Sequence, residues 1–115
     1  MKKVCNFFFL LLIPVLLTGQ ERVVKKGNEA YNTYSFKPAQ DIYQWVLDKG
    51  YVSAEVLQKL GDTYYFNAEY TEAAEIYKRL FEEFPQAADP ACAFRYAQAL
   101  KSTGDYEGAE QAMTS

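Results

Sequence analysis

Residues 54–85, AEVLQKLGDTYYFNAEYTEAAEIYKRLFEEFP, hold two helical patterns separated by a short turn, and their reading decides the fold. In the second half Ala73, Ile76, Tyr77 and Leu80 recur at three- and four-residue spacing and are followed by Phe84. Glu72, Glu75, Lys78, Arg79, Glu82 and Glu83 fall elsewhere around the same turns. That is an amphipathic helix with one stripe to bury. Pro85 stops it, because proline has no amide hydrogen and disfavours helical geometry in Phe84. In the first half Gly61 sits inside the helical pattern. An interior glycine costs about 1 kcal/mol against alanine, so it needs a packing reason. Two antiparallel helices crossing closely at Gly61 and Ala73 would supply one. Tyr64, Tyr65, Tyr70 and Tyr77 are expected to fill the core and the seams between hairpins, with a ligand-stacking cage as the alternative.

The same spacing returns on both sides. Upstream, Gly27, Ala30, Phe36, Ala39 and Tyr43 stand 34 residues before Gly61, Tyr64, Tyr70, Ala73 and Tyr77. Pro38 lies near the start of the second helix of that unit, where its missing amide hydrogen costs nothing, and Gly50 is placed to end the helix in a left-handed cap. Trp45 is expected to pack against the next unit, with an exposed anchor for a partner as the alternative. Downstream, Ala97, Leu100, Tyr106, Ala109 and Met113 follow Gly61, Tyr64, Tyr70, Ala73 and Tyr77 at an offset of 36. A loop at 86–89, two residues longer than the first inter-unit turn, accounts for the difference.

A two-helix unit of 34 residues that keeps Leu57, Leu60, Gly61, Tyr64, Tyr65, Ala73, Tyr77, Leu80 and Pro85 at these places resembles the tetratricopeptide repeat. The fold expected is therefore an all-α tetratricopeptide-repeat α-solenoid of about three helix hairpins. Its units run over about 20–51, 54–87 and 90–115, the last incomplete. Such a stack normally closes on a polar-faced element. None follows the third unit, so the chain is expected to be the front part of a longer protein or to have its end covered by a partner.

Before the repeats, Lys2 and Lys3 precede an apolar run from Val4 to Leu17, then Thr18, Gly19 and the polar Gln20. This is the layout of a signal peptide over residues 1–19. A spanning helix needs about 20 apolar residues, and this run is shorter and broken by Pro14. Of the twelve basic residues, ten remain once Lys2 and Lys3 are set aside, against fifteen acidic ones. That balance disfavours nucleic acid. There is no histidine, and Cys5 and Cys92 are the only cysteines. With Cys5 in the export segment, Cys92 has no internal partner and is expected to be a small buried residue, with a reactive or intermolecular thiol as the alternative. No cofactor or metal is expected, and membrane contact only through the export signal or a partner.

The runs LQKLGDTYYFNAEYTEAAEIYKRLF (57–81) and FRYAQALKSTGDYEGAE (94–110) resemble the amino-terminal region of OmpA-like envelope proteins. In that family a signal peptide and tetratricopeptide repeats precede a propeller-like region and a carboxy-terminal peptidoglycan-binding domain. The resemblance implies a scaffold in the periplasm or at the outer membrane that meets another envelope protein. It transfers no peptidoglycan-binding residue to this chain.

The first helices of stacked hairpins line one face, and the spacing places Asn28, Tyr31 and Asn32 there, followed by Asp62, Tyr65 and Phe66, and then Gln98, Lys101 and Ser102. Amides, hydroxyls and rings together suit a bound peptide; the alternative is that they are solvated or spent between repeats. Lys25, Lys59 and Arg95 share one repeat position, and with Asn28 they supply part of a pattern that grips a terminal carboxylate. Val24 and Ala91 stand at other positions of that pattern, so these cations are expected to offset neighbouring acids. A structural spacer remains open as a second reading. Catalysis is the third and is not expected: Glu69, Glu72 and Glu75 lie on an exposed helical face with no counterpart.

Overall fold

The structure, a computed structural model, describes residues 19–87 and 89–114. The expected signal peptide therefore lies outside the described residues except for Gly19. Six helices and no strand occur among the described residues: α1 over 19–32, α2 Phe36–Asp48, α3 Ala54–Phe66, α4 Tyr70–Glu83, α5 Pro90–Ser102 and α6 Tyr106–Thr114. α3 pairs with α4 and α5 with α6, with α3 packed on α2 and α5 on α4; α1 meets α2 where Gly27 faces the Tyr43 ring and Asn28 accepts from the Tyr43 hydroxyl. The segment read as a loop after Pro85 begins with a short 3-10 turn, Pro85–Ala87.

The starts of α3 and α5 and the stop of α2 have a local cause. Ser53 and Asp89 sit in extended conformation before α3 and α5, and their side-chain oxygens accept from the amides of Val56 at 3.1 Å and Cys92 at 2.7 Å. These caps satisfy donors that a helix start leaves open. Pro90 then occupies the first turn of α5, where it displaces no hydrogen bond. Gly50 (φ 91°) follows α2 in the left-handed region and donates to the Leu47 carbonyl at 2.9 Å.

The three turns inside the hairpins repeat one geometry. Tyr34 and Ala68 both adopt φ 61°, and Gly104 adopts φ 90°. In each turn the next amide donates back to the preceding helix: Ser35 to Ala30 and Glu69 to Tyr64 at 2.8 Å, and Asp105 to Leu100 at 2.9 Å. This closes the helix end as a left-handed cap does. Only the third copy uses glycine, the residue that adopts this conformation without steric cost. Ala68→Gly should therefore raise stability by about 0.5 kcal/mol, after the flexibility glycine adds to the unfolded chain. Urea titration checks this, and a loss of stability would show that the turn is not strained at Ala68.

The core is the stripe the sequence marks. Tyr43, Val46, Val56, Leu57, Leu60, Ala73 and Tyr77 are fully buried, and Leu80 nearly so. The reason for Gly61 differs from the small-on-small crossing with Ala73. A Cβ there would lie 2.6 Å from Cε1 of Tyr77, so the glycine makes room for a ring. Gly27 does the same for Tyr43, at 2.8 Å. Trp45, expected in the seam to the next unit, is instead 47% exposed, with the Lys49 ammonium 5.6 Å from its ring centroid.

The hairpins are not interchangeable. Val56 and Leu60 of α3 are fully buried, and α5 puts Cys92 and Tyr96 at the same positions. Cys92 is fully buried, and Tyr96 stacks on Phe81 of α4 with centroids 5.2 Å apart. In α1 those positions hold Arg22 and Lys26, both exposed.

Candidate functional site

The side chains of α1, α3 and α5 meet on one face around Asp62. Its carboxylate is wholly buried, and both oxygens are engaged. Oδ2 accepts from the Tyr31 hydroxyl of α1 at 2.8 Å. Oδ1 accepts from the Tyr77 hydroxyl of α4 at 2.5 Å and from Nε of Arg95, on α5, at 2.8 Å. A buried carboxylate is tolerated only when such partners replace its water. Burial works against the Arg95 charge, but the adjacent Asp62 carboxylate outweighs it and holds the guanidinium protonated more firmly than usual. Burial first, and then the Asp62 charge, push the Tyr31 and Tyr77 phenols above their ordinary range, so both stay hydroxyl donors.

One repeat earlier the same device appears with a neutral acceptor at its centre. Asn28 occupies the place of Asp62, and its Oδ1 accepts from the Tyr43 hydroxyl at 2.6 Å and from the Lys59 ammonium at 3.1 Å. Its Nδ2 donates to Glu55 at 2.8 Å, and Glu55 lies 3.5 Å from Lys59. In both copies an acceptor on the first helix takes a tyrosine hydroxyl from its own hairpin and a cation from the next. Gln98 and Met113 hold the corresponding positions in the third hairpin.

Lys59 and Arg95, considered above for a carboxylate grip, are thus paired within the chain, while Lys25 is exposed on α1. Asn28, Tyr31 and Asp62 are joined to one another's helices. Tyr65 is partly buried, and Asn32 and Phe66 are exposed at the ends of their helices. Gln98 is partly buried and its carbonyl accepts from the Ser102 hydroxyl at 2.8 Å, while Ser102 and Lys101 are exposed.

The rings extend further than single positions in the sequence indicated. Phe36 at the start of α2 stacks on Phe66 at the end of α3, with centroids 4.9 Å apart and planes 25° apart. Tyr31 and Tyr34 meet Phe36 edge-on at 5.7 and 6.0 Å, and Tyr65 meets Phe66 at 5.6 Å and Tyr70 at 5.6 Å. Phe36 and Tyr34 were not among the candidate residues. Phe36 carries a signal in the sequence, since Phe36, Tyr70 and Tyr106 are aromatic at one repeat position; Tyr34 carries none, its equivalents being Ala68 and Gly104.

Cys92 is fully buried beside this network, and burial, followed by the Asp62 charge, pushes its thiol up to about 12. Iodoacetamide at pH 8 should therefore leave Cys92 unmodified in the folded protein and alkylate it in urea, because the thiolate is the nucleophile. Mass spectrometry of Cys92-containing peptides reads the difference, and rapid labelling of the folded chain would contradict the buried seam.

Residues 67–115 match the family model described as the tetratricopeptide repeat, so the chain carries a tetratricopeptide-repeat region. No curated protein matches the chain by sequence. Among solved structures, PcrH in complex with the chaperone binding region of PopB is similar with a TM-score of 0.70 and 22% identity, covering 81% of this chain and 73% of that one. PcrH from Pseudomonas aeruginosa is similar with a TM-score of 0.69 and 22% identity, covering 81% of this chain and 69% of that one. At that identity the likeness is one of fold.

Proposed function

We propose that this tetratricopeptide-repeat chain is a non-catalytic scaffold that holds a segment of a partner protein along the face of α1, α3 and α5. The observation that carries the reading is the face itself. Tyr31, Asp62 and Arg95 tie three first helices side by side, and the ring cluster borders them. Fixed helices with open aromatic groups suit protein recognition, in which a few anchors supply most of the affinity. PcrH, the similar fold, is described in complex with a region of PopB, which supports a peptide-like occupant here. The setting we propose is the bacterial envelope, in the periplasm or at the outer membrane, as the front part of an OmpA-like protein. That part rests on the export-signal reading of residues 1–19 and on the family resemblance.

A spacer role has one observation on its side. Asn28, Tyr31 and Asp62 are spent on bonds between hairpins, so part of the face serves cohesion alone. Photocrosslinking separates the two readings. A benzophenone side chain placed at Ser102 should capture a partner in cells that make the protein, and one placed at Glu75 on α4 should not. Equal capture from both positions, or none from Ser102, would leave the spacer.

A further inference from the structure

Next to the ring cluster the charges are already matched. The Lys59 ammonium lies 3.5 Å from Glu55 and 3.1 Å from the Asn28 oxygen, and Arg95 is bonded to Asp62. Each cation also rests on a ring: Lys59 is 5.6 Å from the centroid of Tyr31, and Arg95 is 5.9 Å from that of Phe66. Such contacts add to the hold on a cation that is already paired. What remains open is aromatic. Phe66 is 47% exposed and Tyr34 80%, with Phe36 between them in contact with both. Rings left in water beside paired charges gain from covering by an apolar group. A carboxylate arriving there would compete with Asp62 or Glu55 for a cation, and Asp62, wholly buried, cannot turn to water in exchange.

We infer that the segment held on this face docks through uncharged aliphatic or aromatic side chains seated on Phe66, Phe36 and Tyr34, and presents no carboxylate to Lys59 or Arg95. This rests on the reading that the face holds a partner. Lys59 and Arg95 are positioning residues: they bind α3 to α1 and α5 to α3, so that rings from two hairpins form one surface. The match is one of charge state: an uncharged segment on rings whose adjoining cations, Lys59 and Arg95, are already paired.

The test titrates the full chain against three fluorescent decapeptides on a Gly/Ser background. One is capped and carries Leu and Phe, one carries Glu and a free carboxy terminus, and one is capped and carries Lys. The capped apolar peptide should bind, with affinity changing less than about twofold between about 50 and about 500 mM NaCl, since ion pairing contributes little to it. Phe66→Asn, which takes the residue of the same position in α1, should weaken it by about tenfold or more. Tyr34→Gly relieves a left-handed turn, so it keeps the fold, and it should weaken binding by a smaller factor. Tighter binding of the Glu peptide with a steep salt dependence would overturn the inference, and so would apolar binding that ignores both substitutions. If no peptide binds while the crosslink from Ser102 still forms, the inference falls and the scaffold reading stands. Loss of that crosslink as well removes both.

Discussion

Asp62→Ala is expected to cost about 3 kcal/mol of folding stability, the lower part of the range for breaking a buried ion pair. Arg95 is 20% exposed and can turn toward water once its partner is gone, which limits the loss. Arg95→Leu should be worse, about 4 kcal/mol, because it leaves a wholly buried carboxylate with two phenol donors and no cation. Asp62→Asn should cost only about 1 kcal/mol, the worth of weakening one set of bonds. The amide can still accept from Tyr77 and Arg95 through one oxygen, as Asn28 already does for Tyr43 and Lys59. Urea unfolding of the three variants gives the order directly. A loss under about 1 kcal/mol for Asp62→Ala would show that the network does not hold the hairpins together.

Gly61→Ala should also destabilise, by about 2 kcal/mol net, although alanine is the better helix former by about 1 kcal/mol. The new methyl would stand 2.6 Å from the Tyr77 ring, which has nowhere to go. That ring is fully buried and its hydroxyl is fixed on Asp62. Tyr77→Leu alone loses the ring and leaves a void, but combined with Gly61→Ala the two changes should partly compensate. A coupling of about 1 kcal/mol or more in the double-mutant cycle is expected. Additive effects would mean that the ring and the glycine do not constrain each other.

These two positions also show what the sequence could convey. The constant offset from Gly27 to Gly61 and from Tyr43 to Tyr77 marked paired helices, because periodicity records burial. It could not say that each glycine faces the tyrosine of its own hairpin, since spacing along a helix does not identify the group across the gap. Asp62 was legible as a residue of the first-helix face. Its role as a buried hub was not, because it depends on Tyr31 and Arg95 reaching it from helices 31 and 33 residues away in sequence. Trp45 failed as a seam residue for a related reason. Its place in the helix was readable, but whether that side of α2 meets a neighbour depends on the angle between hairpins. The Phe36–Phe66 stack joins residues that hold different repeat positions, so a search for matching positions passes over it.

Arg22 and Lys26 of α1 bear on how one hairpin can join another. A protein assembled from near-copies risks polymerising end to end, because any surface that receives one copy of a unit can receive the same unit from a neighbouring molecule. Here the leading unit would have to carry a guanidinium and an ammonium into a dry joint where its sister units bring Val56 and Leu60, or Cys92 and Tyr96. Stripping water from those two ions opposes the joint. The first hairpin thus departs from the others at the two positions where a copy of α3 or α5 would bring apolar groups to a neighbour.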